Sequence, residues 1–311
     1  MAIYSLTILF TLYFGVLTSL KSVNEYVLGN PFTGEGPNIL GFPKIGLSKQ
    51  LAELEGKSYS LFGNYAYVFE SFNFIPDSVS YYTTFGTQVD HVGKEVGILG
   101  FLFNTFVYAG VCPMICTLIS AISGFLCCKY KYKYSSFLYT ALLITMTIPL
   151  VGTQPATVGM LQKAGIYDTY FSMIVMNMHF GGIYFFVFFA FFQGLSDTYI
   201  EAAEIDGATQ FSTLVKIVLP LAWKTMLTVF IIQFMALWNT YEAPLLYYPT
   251  KPTLAYGIYW MSNSTTNTNF DTQSAPVKIA GCMTLCIPSI IIFLCLKESI
   301  MGNITLGGLK E

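Results

Sequence analysis

Arginine is absent. All 15 basic residues of this 311-residue chain are lysine, so no guanidinium fork is available for two-point recognition of phosphate or carboxylate; an AT-rich bacterial genome would leave the same mark. Charge of either sign is scarce. Only 10% of residues are charged, against about 25% in a soluble domain. Net charge is −2, and no basic patch offers a footprint for nucleic acid. The two histidines, His91 and His179, are isolated, which argues against a zinc site. The seven cysteines, at 112, 116, 127, 128, 282, 286 and 295, fall within apolar runs or at their ends. They read as small apolar packing residues, and Cys127-Cys128 lacks the neighbouring histidine or carboxylate of a metal site. No G-x-x-x-x-G-K-[ST] loop is present, so the chain has no phosphate cradle for ATP. No Ser/His/Asp set or H-E-x-x-H motif supports a membrane enzyme. The apolar runs also lack the ionisable residues that ion-coupled carriers place at mid-membrane.

What is abundant is apolar surface. The chain is 54% hydrophobic and 17% aromatic, with a mean hydropathy of +0.58. That excess needs lipid as its solvent and predicts an all-α integral membrane protein with several spans. Six are expected, at about 2–20, 98–128, 135–151, 170–192, 221–238 and 277–296. The first lacks a basic leader and a cleavage site and reads as a retained span. The chain thus divides into a first transmembrane helix (1–20), an extracytoplasmic segment (21–97), a core of five transmembrane helices (98–296) and a tail (297–311). Gly and Pro punctuate the extracytoplasmic segment. Short helices are expected near 47–55 and 65–72; residues 76–92 receive no assigned structure, an added surface for an external partner being the one hypothesis. Lys129-Tyr-Lys-Tyr-Lys133 is the densest positive cluster, which places that loop in the cytoplasm. Alternation then puts both termini and the loop 193–219 inside, and the polar loops 152–169 and 246–275 outside.

One polar stretch interrupts the apolar core: Glu201-Ala-Ala-Glu-Ile-Asp-Gly207, followed by Ile217-Val-Leu219-Pro220. Thr198 and Glu201 have capping-box spacing, so a helix is expected to start at Thr198. Ala202, Ala203 and Ile205 continue it, the alanine pair giving a face that a partner can approach closely. Gly207 permits a turn, a second short helix is expected over 208–218, and Pro220 suits the first turn of the next span. The local reading is a helix–turn–helix elbow outside the hydrocarbon.

These residues resemble the EAA loop of ABC-importer permeases: Glu-Ala-Ala at 201–203, Gly207, then Ile217-x-Leu219-Pro220, within a coupling loop 196–220. Ser196 departs from the proline found in many relatives, and the capping box is expected to serve the same start. Asn64-Tyr65 with Phe69, Asn104-Thr105, Ala121 with Gly124, and Trp238-Asn239 before Pro244-Leu245 also resemble that family. The tail, with Gly302, Thr305, Gly307 and Lys310, resembles the end of the second permease of maltose-type carbohydrate transporters.

The resemblance implies a type I ABC-importer permease fold with six transmembrane helices and cytoplasmic coupling helices, in the bacterial cytoplasmic membrane. It implies a non-catalytic subunit without a cofactor of its own, ATP and Mg being bound by partner subunits. The implied partners are a second homologous permease chain, two cytoplasmic ATPases and an extracytoplasmic solute-binding protein. Glu201, Ala202, Ala203, Asp206, Gly207, Ile217, Leu219 and Pro220 would carry ATPase coupling, and Gly302, Thr305, Gly307 and Lys310 would reach between the ATPases. The implied cargo is a sugar or oligosaccharide; a polyol phosphate or peptide is the alternative, and a stand-alone secondary carrier the reading from another class. Asn177, Gln233, Trp238, Asn239 and Glu242 are the candidates for a substrate path, because a neutral sugar packs its C–H faces on rings and offers hydroxyls to amides. Helix packing is the competing reading for the phenylalanines of 185–192. Glu242 reads as interfacial rather than as a proton relay.

Overall fold

The computed structural model describes residues 2–304 apart from 28, 30–35, 55–59, 74, 131–134, 149–151, 179–181 and 264–273. Four short helices come first or follow the first: α1 Ala2–Ser19, α2 Val23–Val27, α3 Ile45–Leu54 and α4 Gly63–Ser71. An antiparallel hairpin follows, β1 Val79–Tyr82 and β2 Gln88–His91. The core contains α5 Ile98–Lys129, α6 Ser135–Thr147, α7 Gln154–Lys163, α8 Tyr170–Asn177 and α9 Ile183–Gln193. It continues with α10 Thr198–Ile205, α11 Gln210–Thr213, α12 Leu219–Asn239, α13 Glu242–Tyr247, α14 Leu254–Asn263 and α15 Ala275–Ile304.

The spine is α5. Ala121, Phe125, Phe188, Phe192, Leu214, Val218, Ala222 and Val229 form one buried cluster in which α5, α9 and α12 meet. Gly124 makes this possible, since a Cβ there would lie 2.9 Å from the Phe188 Cβ and 3.0 Å from the Phe189 backbone nitrogen. Phe185, Phe188 and Phe192 are fully buried, and Tyr139 of α6 sits 5.3 Å from Phe186 and 4.8 Å from Phe189. The aromatics of α9 are therefore helix-packing groups. A second cluster joins Val68 and Phe72 beside α4 to Phe101, Leu254, Ile258, Met261, Val277 and Ala280.

Two π-helical turns interrupt the helices, Phe106–Val111 within α5 and Leu214–Val218 between α11 and α12. Each ends two residues before a proline, Pro113 and Pro220. Proline lacks an N–H and its ring crowds the carbonyl four residues back; a π turn moves that carbonyl out of the way. The second turn leads into a 70° bend between Gln210–Leu221 and Trp223–Asn239. Pro220 thus sits in the first turn of α12, as the sequence predicts.

Among the described residues, Ile98–Lys129 and Ala275–Cys295 are each long and apolar enough to cross a bilayer, and up to four crossings result if each of two bent helix pairs is one span. The predicted third span is shorter as a helix: α6 has 13 residues, about 20 Å at 1.5 Å per residue, and most of 148–151 lies outside the described residues. The predicted fourth span, 170–192, is not continuous. It consists of α8 and α9, and Gly182, at the start of α9, takes φ 138°, a value only glycine adopts readily. The predicted outer loop 246–275 contains a buried helix, α14, whose Leu254–Ile258 and Met261 are all buried. Gly257 lets it in: a Cβ there would lie 2.7 Å from ring carbons of both Phe72 and Phe101. Residues 264–269 of that polar run lie outside the described residues.

Segment 21–97 has the two short helices expected, α3 and α4, and a hairpin where no structure was assigned. Its chain entry is polar and closed. Glu25 is fully buried and accepts from the Asn38 amide at 2.5 Å, the Lys44 N–H at 2.8 Å and the Ser48 hydroxyl at 2.8 Å. Lys21, also buried, donates to the carbonyls of Asn38 and Ile39 at 2.9 and 2.7 Å. Burial draws its ammonium below the ordinary lysine range, with Glu25 opposing.

Replacing Gly124 by valine should force α9 off α5, costing about 1–3 kcal/mol as overpacking does. The expected readout is a lower unfolding temperature in detergent; an unchanged temperature would contradict the close approach.

Candidate functional site

The elbow is built by two capping devices around one glycine. In α10 the Ala208 N–H donates to the Ala203 carbonyl at 2.9 Å and the Gly207 N–H to the Glu204 carbonyl at 3.0 Å. With Gly207 at φ 74°, this is the Schellman pattern that ends helices at a left-handed residue. Thr209 then caps α11, its hydroxyl accepting from the Ser212 N–H at 3.3 Å. The turn at Gly207 and the second short helix are as the sequence predicts, though that helix starts at Gln210 rather than at 208.

α10 starts at Thr198, as the sequence predicts, but without the expected capping box. Asp197 holds the N-cap position without a side-chain cap hydrogen bond. The Thr198 hydroxyl pairs with that of Ser196 at 2.8 Å, and the Ser196 hydroxyl accepts from the Thr198 N–H at 3.4 Å. The Thr198 hydroxyl is thus taken up locally, and Asp197 is drawn to Lys129 instead of capping. The Lys129 ammonium, 2.6 Å from the Asp197 carboxylate, also donates to the Leu195 carbonyl at 2.5 Å. Lys129 lies in the last turn of α5, where a cation also suits the helix dipole. One side chain thus pins the entry of the elbow to the spine.

The alanine pair is split between two faces, since neighbouring helical residues point about 100° apart. Ala203 is buried, whereas Ala202 is exposed beside Glu201, Glu204 and Asp206. Ile205 and Phe211 flank Gly207 and are 86% and 75% exposed. The elbow therefore presents two apolar side chains rimmed by carboxylates, over a base sealed by Leu214 and Val218. Ile217 and Leu219 are half-buried and Pro220 is exposed.

The candidate path residues have mixed placements. The Gln233 amide is buried and donates to the Thr117 hydroxyl at 3.2 Å, tying α12 to α5. The Trp238 indole donates to the Leu285 carbonyl at 3.0 Å and stacks on Phe234 at 5.4 Å. Both donors serve helix packing. The amides of Asn177 and Asn239 donate to the carbonyls of Met173 and Met235, each at 2.8 Å. Asn239 and Glu242 are exposed. In the tail, Gly302 lies in the last turn of α15, while Thr305, Gly307 and Lys310 lie outside the described residues.

Residues 98–300 match the model of the binding-protein-dependent transport system inner membrane component family. The chain belongs to this family. An arabinooligosaccharide transport system permease protein of Halalkalibacterium halodurans is 25% identical over 223 residues, covering 71% of this chain and 77% of that protein. An sn-glycerol-3-phosphate transport system permease protein of Salmonella choleraesuis is 26% identical over 203 residues, covering 65% and 71%. A chain from the crystal structure of a bacterial ABC transporter that imports the acidic polysaccharide alginate superposes with a TM-score of 0.65 at 18% identity, covering 96% of this chain and 92% of that one. The permease thus shares the helical fold of a solved importer subunit.

Sequence reasoning missed three features of this permease. Ile205 and Phe211 carried a signal, being apolar residues in a polar loop on either side of a glycine. The Lys129–Asp197 pair, 68 residues apart, had none beyond the lysine cluster. The third feature is the set of contacts that Thr250 and Lys251 make with Asp168.

Lys129→Met should loosen the elbow by about 1–3 kcal/mol, because the half-buried Leu195 carbonyl loses its charged donor. Asp197→Ala should cost less than about 1 kcal/mol, its side chain being 72% exposed. Amide hydrogen exchange over 195–208 distinguishes the two; equal effects would mean that the carboxylate, not the carbonyl, matters.

Proposed function

We propose that this chain is a transmembrane permease subunit of an ATP-driven, binding-protein-dependent importer of sugars or oligosaccharides. The carrying observation is the elbow: a rigidly capped helix–turn–helix, pinned to α5, that presents Ile205 and Phe211 within an acidic rim. An exposed apolar pair on a braced scaffold fits a cleft in a partner. In this reading the partners are two cytoplasmic ATPases, each taking one elbow, one from this chain and one from a second homologous permease. The ATPases bind ATP and Mg; this chain is non-catalytic and carries no cofactor. A solute-binding protein delivers cargo on the far side. Six crossings of the bacterial cytoplasmic membrane, with both termini inside, put the elbow and the cargo entry on opposite faces.

Coupling follows from the geometry. Movement of the ATPases acts on α10 through Ile205, Phe211 and the rim Glu201, Glu204 and Asp206. Ala203 and the cluster around Leu214 and Val218 pass it to α5, α9 and α12. Ala202 leaves room for close approach, and Ile217, Leu219 and Pro220 carry the bend into α12. In the same reading Gly302, Thr305, Gly307 and Lys310 are the tail residues assigned to ATPase contact. Family membership and the arabinooligosaccharide relative support a carbohydrate cargo, and the absence of arginine favours a neutral one. A polyol phosphate is the second reading, favoured by the sn-glycerol-3-phosphate relatives.

Ala203→Asp, which buries a carboxylate, and Gly207→Val, which forces a β-branched residue to positive φ, should each uncouple ATP hydrolysis from uptake without preventing membrane insertion. Gly207→Asn, a residue that tolerates that conformation, should retain most coupling. The measurement is ATP hydrolysis and solute uptake by the reconstituted complex. Normal uptake by the first two variants would sink the elbow assignment. Purification of the tagged chain alone, with transport in liposomes free of ATP, would return the secondary-carrier reading.

A further inference from the structure

On the side of the molecule away from the elbow, one carboxylate has no part in the function above. Asp168 is fully buried and, at φ 57°, occupies the left-handed region that non-glycine residues avoid. A buried charge in an unfavourable backbone conformation is retained only where its surroundings over-determine it. Here they do. One carboxylate oxygen accepts from the Thr250 hydroxyl at 2.5 Å, and the other accepts from the Thr250 N–H at 3.3 Å. The Lys251 ammonium lies 3.5 Å from the carboxylate and donates to both the Asp168 carbonyl and, at 3.2 Å, the Thr250 hydroxyl. The Asp168 N–H donates to the Tyr247 carbonyl at 3.2 Å. His91 of β2 places Nδ1 4.0 Å from the same carboxylate, and its buried Nε2 has no hydrogen-bond partner among the described residues.

The contacts around this point join the hairpin to the helices. Tyr81 of β1 donates to the Tyr167 carbonyl at 3.3 Å and meets the Tyr167 ring edge-on at 5.7 Å. Burial, and then the nearby Asp168 charge, hold the Tyr81 hydroxyl above its ordinary pKa. Thr84 at the hairpin turn gives two hydrogen bonds to the Lys163 carbonyl, at 3.0 and 2.9 Å, and Tyr167 donates to the Leu246 carbonyl at 2.8 Å. Below Asp168 the chain of bonds continues downward. Lys251 sits over the Tyr170 ring at 5.4 Å. Tyr170 donates to Asn104 at 2.6 Å, Asn104 donates to the Pro252 carbonyl at 3.0 Å, and the Leu254 N–H donates to Thr105 at 2.9 Å. Asn104 and Thr105 immediately precede the π turn of α5, and Tyr170 opens α8, which stops at Asn177 before Gly182.

We propose that Asp168 is a positioning residue: with Lys251 and Thr250 it clasps the outer cap (hairpin, α7 and the turn after it) to the outer ends of α5, α8 and α14. Load applied to the cap then reaches the two places where the helices are irregular, the π turn of α5 and the break before α9. The ion pair reinforces the Tyr167–Leu246 and Asp168–Tyr247 hydrogen bonds between the cap and the helix ends; without it the cap, hairpin included, is held more loosely. This inference rests on the importer reading for the source of the load, a solute-binding protein arriving on the outer face.

The test uses the complete transporter in nanodiscs, with Asp168→Asn, Lys251→Met and the double variant. Each single change should lower the stimulation of ATP hydrolysis by loaded binding protein about tenfold, a coupling of about 1.4 kcal/mol. Basal hydrolysis and the composition of the purified complex should stay as in the unmodified protein, and the double variant should be no worse than either single one. Stimulation at the unmodified level, multiplicative effects of the two changes, or a parallel fall in basal hydrolysis would overturn the clasp. Hydrogen exchange reads the clasp without reference to transport. Lys251→Met should speed exchange over 79–91 about tenfold and leave 198–208 unchanged; no change over 79–91 overturns the proposal. If the unmodified complex shows no stimulation while the exchange result holds, the importer reading fails and the clasp stands.

Discussion

In a low-dielectric medium every backbone N–H and C=O must find a partner, and that constraint governs where this chain can depart from a straight helix. Among the described residues, both π turns pack against neighbouring helices on one side. The π turn of α5 packs on α8 through Cys112, whose thiol donates to the Met173 carbonyl at 3.4 Å. Tyr248 closes the same region, donating to the Ser172 carbonyl at 3.4 Å. The second π turn is sealed by Phe188, Phe192 and Val218. The second bend therefore depends on the aromatic packing of α9, and that packing depends on Gly124 letting two backbones meet.

The contacts of α5 fall on the two sides of its π turn, Phe106–Val111. After the turn, α9 packs on it and Lys129 pins the start of α10. Before the turn, Asn104 and Thr105 bond to Tyr170, Pro252 and Leu254, while α8 spans the turn through Cys112 and the hairpin is fastened to Lys163 and Tyr167. A helix whose hydrogen-bond ladder is already offset can change its bend at lower cost than a regular one. The same residues that keep the prolines tolerable thus place the softest part of the spine between its two most tightly fastened ends.

The elbow was legible in the sequence because polar residues in an apolar chain have few reasons to exist, and because Gly207 and Pro220 act on their own backbone. Its capping was less so. The spacing of Thr198 and Glu201 marked the helix start, but Ser196 takes the Thr198 hydroxyl, and the Lys129–Asp197 pair that fastens this start is distant in sequence. The break in the fourth span followed from Gly182, which hydropathy averaging hides among phenylalanines. α14 was read as loop because the polar run after it dominates the window, while its burial depends on Phe72 and Phe101 finding Gly257. The hairpin escaped for the same reason: Tyr81 and His91 acquire their meaning only from Tyr167 and Asp168. Local chemistry was readable; pairings made across the fold were not.

The missing arginine returns at this point with a physical consequence. The buried or nearly buried lysines do the same thing at three sites. Lys21 serves two carbonyls, Lys129 a carbonyl and a carboxylate, and Lys251 a carbonyl, a hydroxyl and a carboxylate. An ammonium has three donors around a point and can turn to meet acceptors that do not share a plane, whereas a guanidinium fixes its donors in one plane. Chain turns and helix ends supply such non-planar sets of carbonyls. Lysine is thus well suited to fastening loops onto helix ends, and the clasps at both ends of α5 are of this kind. What a lysine-only chain lacks is planar two-point recognition of an anion. That deficit bears on the cargo rather than on the fold, and it weighs toward a solute recognised through hydroxyl groups and ring faces.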